Sequence, residues 1–236
     1  MNKKAVLVVG MTVFSFSFGV NAEEVSDAYK IAKGGRLYDK WFAENGSNKP
    51  KSPNPVYPAT GKYYGKKASD WRCKECHGWD YQGASGAYKS GKHYTGIKGI
   101  SAMSGADPQL IEKILSDSNH NYSDSMLSKD DRSALALFVA KGQIDMDQYI
   151  DRKSKQVKGN SEKGRVYYQT VCATCHGLDG KGEDTPPLGK LTNKNPWEVM
   201  HKIAYGQPKW EMPALSGLDI QVTADITAYM QKHLPK

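Results

Sequence analysis

The feature that most constrains this chain is a pair of short cysteine–histidine motifs. Each places two cysteines three residues apart and a histidine directly after the second, as WRCKECHGWD at residues 71–80 and VCATCHGLDG at residues 171–180. The two motifs contain all four cysteines of the chain. Side chains at positions i, i+3 and i+4 share one face of a helix, so each motif presents two thiols and an imidazole on the same side.

Covalent haem attachment explains this spacing best. C-x-x-C-H is the signature of a c-type haem, because two thiols on one helical turn can bond to two vinyl groups while the histidine reaches the iron. Structural zinc needs four ligands and more closely spaced pairs, and a thioredoxin-like dithiol needs a βαβ context that is absent. A disulfide within C-x-x-C would close too small a loop to stabilise much. The motifs therefore predict two covalently bound haem c groups. The predicted attachment residues are Cys73, Cys76, Cys172 and Cys175, with His77 and His176 as the proximal iron ligands.

Sequences on both sides of the motifs also occur twice. GRLY at residues 35–38 resembles GRVY at residues 164–167, and each opens a predicted helix before its motif. After the motifs, Asp107-Pro108 and Asn195-Pro196 each provide a capping residue and a proline at the first helical position. SALALFVAKG and ADITAYMQKHL then have the apolar spacing of a final helix in each half. Strand signals are weak throughout, so we predict an all-α fold with two tandem helical domains, at residues 23–150 and 151–236.

The halves differ by about 30 residues that precede the first motif. This insert includes NKPKSPNPVYPATGKYYG, residues 48–65, which is rich in proline and glycine and predicts an extended loop rather than a helix. The polar run DRKSKQVKGN, residues 151–160, is typical of a linker between the halves.

The N-terminal residues predict export. Lys3 and Lys4 precede an uncharged, mostly apolar run, and Val20-Asn21-Ala22 resembles a signal-peptidase site, so residues 1–22 are predicted to be a signal peptide. An uncleaved membrane anchor is the alternative. No later segment is apolar enough to span a membrane. The formal net charge is +8, and Lys3 and Lys4 of the predicted signal peptide contribute two of these charges, so the mature chain would carry +6. In an exported protein this charge favours redox partners with acidic docking surfaces, or a membrane surface, over nucleic acid.

With these motifs and this order of predicted helices, the chain resembles diheme c-type cytochromes built from two class I cytochrome c domains. The resemblance rests on CATCHG at residues 172–177, on Met212-Pro213 and on the order of the flanking helices. It implies two tandem cytochrome c-like helical domains, each wrapped around one haem. The second half follows the family pattern closely, whereas the first departs from it through its insert and its lack of a Met-Pro pair. More loosely, the chain is similar to diheme cytochromes that accompany periplasmic dehydrogenases, including those of thiosulfate oxidation.

The distal iron ligands are less constrained than the proximal ones. The resemblance places Met212 opposite His176, and His201 is the alternative. For the first haem the candidates are His120, Met126, His93 and Met103.

Alignment of the two halves on their final helices ranks these candidates. It pairs Tyr229 with Phe138. Met212 lies 17 residues before Tyr229, and His120 lies 18 before Phe138, whereas Met126 lies only 12 before it. We therefore predict His120 as the distal ligand of the first haem.

Two protein ligands on each iron are typical of an electron carrier. The sequence thus predicts a periplasmic cytochrome that transfers single electrons between a donor and an acceptor protein. A diheme oxidoreductase resembling thiosulfate dehydrogenase or a peroxidase is one alternative. A fixed cytochrome subunit of a larger dehydrogenase or oxidase complex is the other, with the insert as its docking surface.

Overall fold

The computed structural model describes residues 25–182 and 185–236, so the predicted signal peptide lies outside it. The helices are α1 (Asp27–Glu44), α2 (Cys73–His77), α3 (Pro108–Leu115), α4 (Lys129–Lys141), α5 (Met146–Tyr149), α6 (Ser161–Tyr167), α7 (Ala173–His176), α8 (Leu188–Lys194), α9 (Pro196–Tyr205) and α10 (Ile220–His233). The described residues contain no strand, only two isolated bridges, which confirms the predicted all-α fold. None of the described helices combines the length and apolar composition of a membrane span.

Of the two predicted helix starts, only one is capped as expected. The Asp107 carboxylate accepts the backbone N–H of Gln109 at 2.9 Å, and Pro108 occupies the first position of α3. Asn195 precedes α9 but makes no such cap. Its amide instead donates to the Glu198 carboxylate at 2.9 Å.

The same local packing occurs around both motifs. The hydroxyl of Tyr38 donates to the carbonyl of Gly78 at 2.6 Å, and that of Tyr168 donates to the carbonyl of Gly177 at 2.7 Å. Each glycine directly follows the histidine of its motif. The Tyr38 ring packs on Phe138 at 5.4 Å and 44°, and the Tyr168 ring packs on Tyr229 at 5.3 Å and 43°. Phe138 and Tyr229 therefore occupy equivalent places, as the alignment on the final helices assumed.

These contacts correct the pairing of the upstream helices by one residue. Tyr38 corresponds to Tyr168 rather than to Tyr167. Four residues earlier, Gly34 and Gly164 both contact the final helix of their half. A Cβ atom at Gly34 would overlap the carbonyl of Ala134, and one at Gly164 would overlap the carbonyl of Asp225. Both glycines are required by close helix packing.

Two hydrophobic clusters form the core, and α9 contributes to both. The larger cluster surrounds α1 and α4 and includes Trp197 and Met200 of α9. The smaller cluster lies between α6, α8 and α10 and includes Val199 and Ile203 from the other face of α9. One helix of the second half therefore completes the core of the first.

The predicted insert is a loop, as expected. Residues 46–68, all of which are described, contain turns and no helix. Asp70 holds the loop, because its carboxylate accepts the backbone N–H of Asn54 at 3.0 Å and that of Gly65 at 2.8 Å. The ring of Tyr63 stacks on His93 at 4.9 Å. The insert also contacts the first motif, because the indole N–H of Trp71 donates to the carbonyl of Ser52 at 2.8 Å.

Candidate functional site

The first motif forms the single helical turn α2. Gly78 ends it with a φ of 80°, a conformation that favours glycine, and its N–H bonds to the carbonyl of Lys74 at 3.0 Å. His77 Nδ1 lies 2.7 Å from the carbonyl of Lys98 and must donate its proton there, because a carbonyl can only accept. This tautomer leaves Nε2 free as a metal ligand. Burial lowers the pKa of His77 to about 4, so the imidazole is neutral at pH 7.

The ring of His120 lies near that of His77 and is nearly parallel to it. Their ring centroids are 6.2 Å apart and their planes differ by only 26°. Two imidazoles on opposite sides of one metal ion, each at about 2 Å, would have centroids about 6 Å apart. The spacing of His77 and His120 therefore fits an iron held between them.

The other histidine candidate in the first half is engaged elsewhere. His93 Nδ1 bonds to the buried Glu75 carboxylate at 2.7 Å. Its ring is stacked between Tyr63 and Tyr88, at 4.9 and 4.7 Å. Met103 and Met126 are partly buried against the larger cluster, as is Cys73.

The second motif begins in a π-helical turn, Tyr168–Cys172, and continues as α7. Gly177 ends it with a φ of 73° and repeats the hydrogen bond of Gly78, here to the carbonyl of Ala173 at 2.9 Å. His176 Nδ1 is buried and has no hydrogen-bond partner among the described residues. Burial lowers the pKa of His176, which favours the neutral form that a metal binds.

Met212 lies in the loop between α9 and α10. It is partly buried against the smaller cluster, as is Cys172. Gly206, with a φ of 88°, allows this loop to approach closely, because a Cβ there would lie 2.7 Å from the Met212 carbonyl. Met212 and the second motif thus share one core.

The thiols of Cys73, Cys76 and Cys172 are protonated at pH 7 because burial raises their pKa. Burial raises the pKa of Cys73 and Cys172 to about 11 and that of Cys76 to about 12. Across residues 25–182 and 185–236, no group of three or more histidine, cysteine or acidic side chains is arranged to hold a metal ion.

Behind the first motif lies a buried charge network that sequence analysis missed. The Asp39 carboxylate, 1% exposed, pairs with Arg72, the residue before Cys73, and with Lys202 of α9 at 2.6 Å. Burial alone would raise the pKa of Asp39, but Lys202 and Arg72 hold it well below its usual range. No local sequence pattern signals this contact, because Asp39 and Lys202 lie 163 residues apart.

His201 of α9 also contacts the first half, and its side chain is buried rather than exposed to solvent. It is fully buried, with Nδ1 2.8 Å from the Tyr81 hydroxyl and Nε2 2.9 Å from the Gly35 carbonyl. Both of its nitrogens are used in hydrogen bonds to the first half. His201 therefore holds the two halves together, and its ring nitrogens are not free to bind iron.

The burial of His201 predicts acid sensitivity. Burial lowers its pKa to about 4, whereas an exposed histidine titrates near 6.5. At pH values between these two pKa values, His201 is protonated in the unfolded chain and neutral in the folded chain. The free energy of unfolding is therefore unaffected by His201 above pH 6.5 and decreases progressively between pH 6.5 and pH 4, with about 2 kcal/mol lost by pH 5. We expect His201→Gln to remove this part of the loss, measured by urea unfolding at pH 7 and pH 5.

His233 provides the control for this experiment, because it is exposed. His233→Gln should keep the pH dependence of the parent protein. If His201→Gln loses as much stability between pH 7 and pH 5 as the parent, His201 does not cause the acid sensitivity.

One family model matches the second half of the chain. Residues 159–230 match the family model described as cytochrome c oxidase, cbb3-type, subunit III. A Synechocystis protein described as cytochrome c-553-like is 29% identical over 99 residues, which are 42% of this chain and 89% of that protein.

Two solved structures are distant matches. A chain of a reducing HAO-like protein complex from Kuenenia stuttgartiensis aligns with 80% of this chain and 100% of its own, at 16% identity and a TM-score of 0.26. Thiosulfate dehydrogenase from Marichromatium purpuratum, in its as-isolated form, aligns with 88% of this chain and 46% of its own, at 17% identity and a TM-score of 0.25. This chain thus spans less than half of that enzyme, and TM-scores this low do not indicate a shared fold. Both sequence matches are to proteins described as cytochromes, and the family match lies within the second half of this chain.

Proposed function

We propose that this chain is a periplasmic diheme c-type cytochrome that transfers single electrons between redox proteins. The observation that carries the proposal is the nearly parallel pair of imidazoles formed by His77 of the first motif and His120. Both imidazoles have their Nδ1 hydrogen-bonded, to Lys98 and Asp117 respectively, which leaves an Nε2 on each for iron. The repeated tyrosine and glycine contacts around the second motif support an equivalent second site.

The residues assigned to each haem follow from this arrangement. Haem c, when bound, supplies an iron that gains and loses one electron. In the first domain, residues 23–150, Cys73 and Cys76 would form the thioethers, and His77 and His120 would be the axial ligands. In the second domain, residues 151–236, Cys172 and Cys175 would attach the haem, and His176 and Met212 would be the ligands.

Two protein ligands on each iron favour a carrier over an enzyme. Such sites leave no position open for a substrate, and the protein's influence is limited to ligand identity, burial and hydrogen bonding. A methionine ligand raises the potential relative to histidine, so we expect the second haem to have the higher potential. The donor and acceptor would be redox proteins with acidic surfaces, in keeping with the net charge of +6 that remains without Lys3 and Lys4. Residues 1–22 would direct export.

The haem count tests this proposal. We expect two covalently bound haems per full-length chain in a pyridine haemochrome assay, because the two motifs use every cysteine. The double variants C73A/C76A and C172A/C175A should each retain one. Covalent attachment makes the count independent of whether a variant is fully folded. One haem in the parent chain would contradict the diheme proposal.

Carbon monoxide distinguishes a carrier from an enzyme. The reduced parent protein should show no spectral change under carbon monoxide, since both irons have two protein ligands. Rapid binding at one haem would instead support the oxidoreductase alternative.

A further inference from the structure

The turn that carries His120 is organised by one carboxylate. Asp117 Oδ1 accepts the backbone N–H groups of Asn119 and His120, both at 2.9 Å. The same oxygen lies 3.2 Å from His120 Nδ1. The N–H of Asn121, whose φ is 53°, bonds to the Asp117 carbonyl at 2.8 Å and closes the turn.

This turn is fixed to the segment that carries the first motif. The hydroxyl of Tyr122 donates to the carbonyl of Trp71 at 3.0 Å, two residues before Cys73. The N–H of Tyr122 bonds to the carbonyl of Leu115, at the end of α3. The His120 turn therefore has a defined position relative to α2, and Asp117 sets the orientation of the imidazole within it.

The two facing histidines have hydrogen-bond partners of different charge. His77 donates Nδ1–H to a neutral backbone carbonyl, that of Lys98. His120 donates Nδ1–H to the carboxylate of Asp117. A carboxylate partner fixes the tautomer of a ligating histidine and makes the ring a stronger electron donor. A stronger donor stabilises ferric over ferrous iron.

We propose that Asp117 is a positioning residue for the distal ligand of the first haem and that its charge lowers the potential of that haem. This inference rests on the proposed ligation by His120. The proposed role requires the negative charge of Asp117. A purely structural role would require only an oxygen that accepts the backbone N–H groups of Asn119 and His120.

Asp117→Asn separates these two roles, because the amide oxygen can still accept both backbone N–H groups while the charge is lost. We expect the first haem of the intact diheme protein to remain low-spin with a higher midpoint potential, and the second haem to be unchanged. Each tenfold loss in the preference for ferric iron corresponds to about 59 mV for a one-electron couple. Redox titration followed by electron paramagnetic resonance resolves the two haems and reports their spin states.

Asp124→Asn is the matched control. It removes a carboxylate four residues from His120 that pairs with Arg132 and whose side chain is 89% exposed. The potential of the first haem should not change in this variant. An equal shift in both variants would overturn the inference, since the effect would then be one of net charge.

His120→Ala separates a failure of the inference from a failure of the proposed ligand. A high-spin first haem in His120→Ala, together with an unchanged potential in Asp117→Asn, overturns only the role of Asp117. A first haem that stays low-spin at an unchanged potential in His120→Ala overturns the ligand assignment, and the inference with it.

Discussion

Replacement of Asp39 by alanine is expected to lower the free energy of unfolding by about 3–5 kcal/mol, the usual effect of removing one partner from a buried ion pair. The loss arises because Arg72 and Lys202 would keep their charges without a counter-ion. Their side chains are 20% and 16% exposed, so partial hydration places the effect toward the lower end of that range. Urea unfolding of the purified full chain measures it.

A second aspartate–lysine pair provides the comparison. Asp27 pairs with Lys141 at 3.2 Å, but both side chains are more than half exposed. Exposed pairs of this kind contribute about 0–1 kcal/mol, so Asp27→Ala should be nearly neutral. Equal losses in the two variants would show that the Asp39 network contributes no more than a surface pair.

Gly164→Ala is expected to lower the free energy of unfolding of the protein by about 1–3 kcal/mol, because the added methyl group would overlap the main chain of α10. The overlapping atom is the carbonyl oxygen of Asp225, which cannot rotate away as a side chain would. Alanine favours a helix over glycine by about 1 kcal/mol, and this gain offsets part of the loss. The midpoint of thermal unfolding followed by circular dichroism measures the result.

Gly217→Ala is the control for Gly164. No atom lies within 4 Å of a Cβ built at Gly217. The substitution should therefore be neutral or slightly stabilising, since alanine reduces the conformational freedom of the unfolded chain. If Gly164→Ala is as stable as Gly217→Ala, α6 and α10 can separate without cost, and the close-packing interpretation is wrong.

Local patterns predicted the helical class, the loop character of the insert and the start of α3. They did not give the correct residue-by-residue match between the two halves where two identical residues are adjacent. Gly34 and Gly35 are adjacent, as are Tyr167 and Tyr168, so either residue of each pair could be matched by letter alone. Only the three-dimensional contacts, such as that between Tyr168 and Gly177, identify the equivalent residue.

The facing position of His120 was foreseeable because its distance from the final helix resembles that of Met212. The buried network of Asp39 was not, and neither was the burial of His201. Both depend on how the second half packs against the first, and contacts over 160 residues apart leave no periodic signal in the sequence. A charged or histidine residue on a helix is more often exposed than buried, so composition favours the wrong answer at these positions.

The position of α9 has a consequence for cooperativity. Trp197 and Met200 on one face belong to the larger cluster, and Val199 and Ile203 on the other belong to the smaller one. If either cluster unfolds, the other loses the α9 residues that pack against it. We therefore expect the halves not to unfold independently, although their local geometry is repeated. A fragment that ended at residue 150 would expose the surface of Tyr81 and Phe138 that α9 now covers. Such a fragment would be prone to aggregation, and we expect the intact chain to unfold in one cooperative transition.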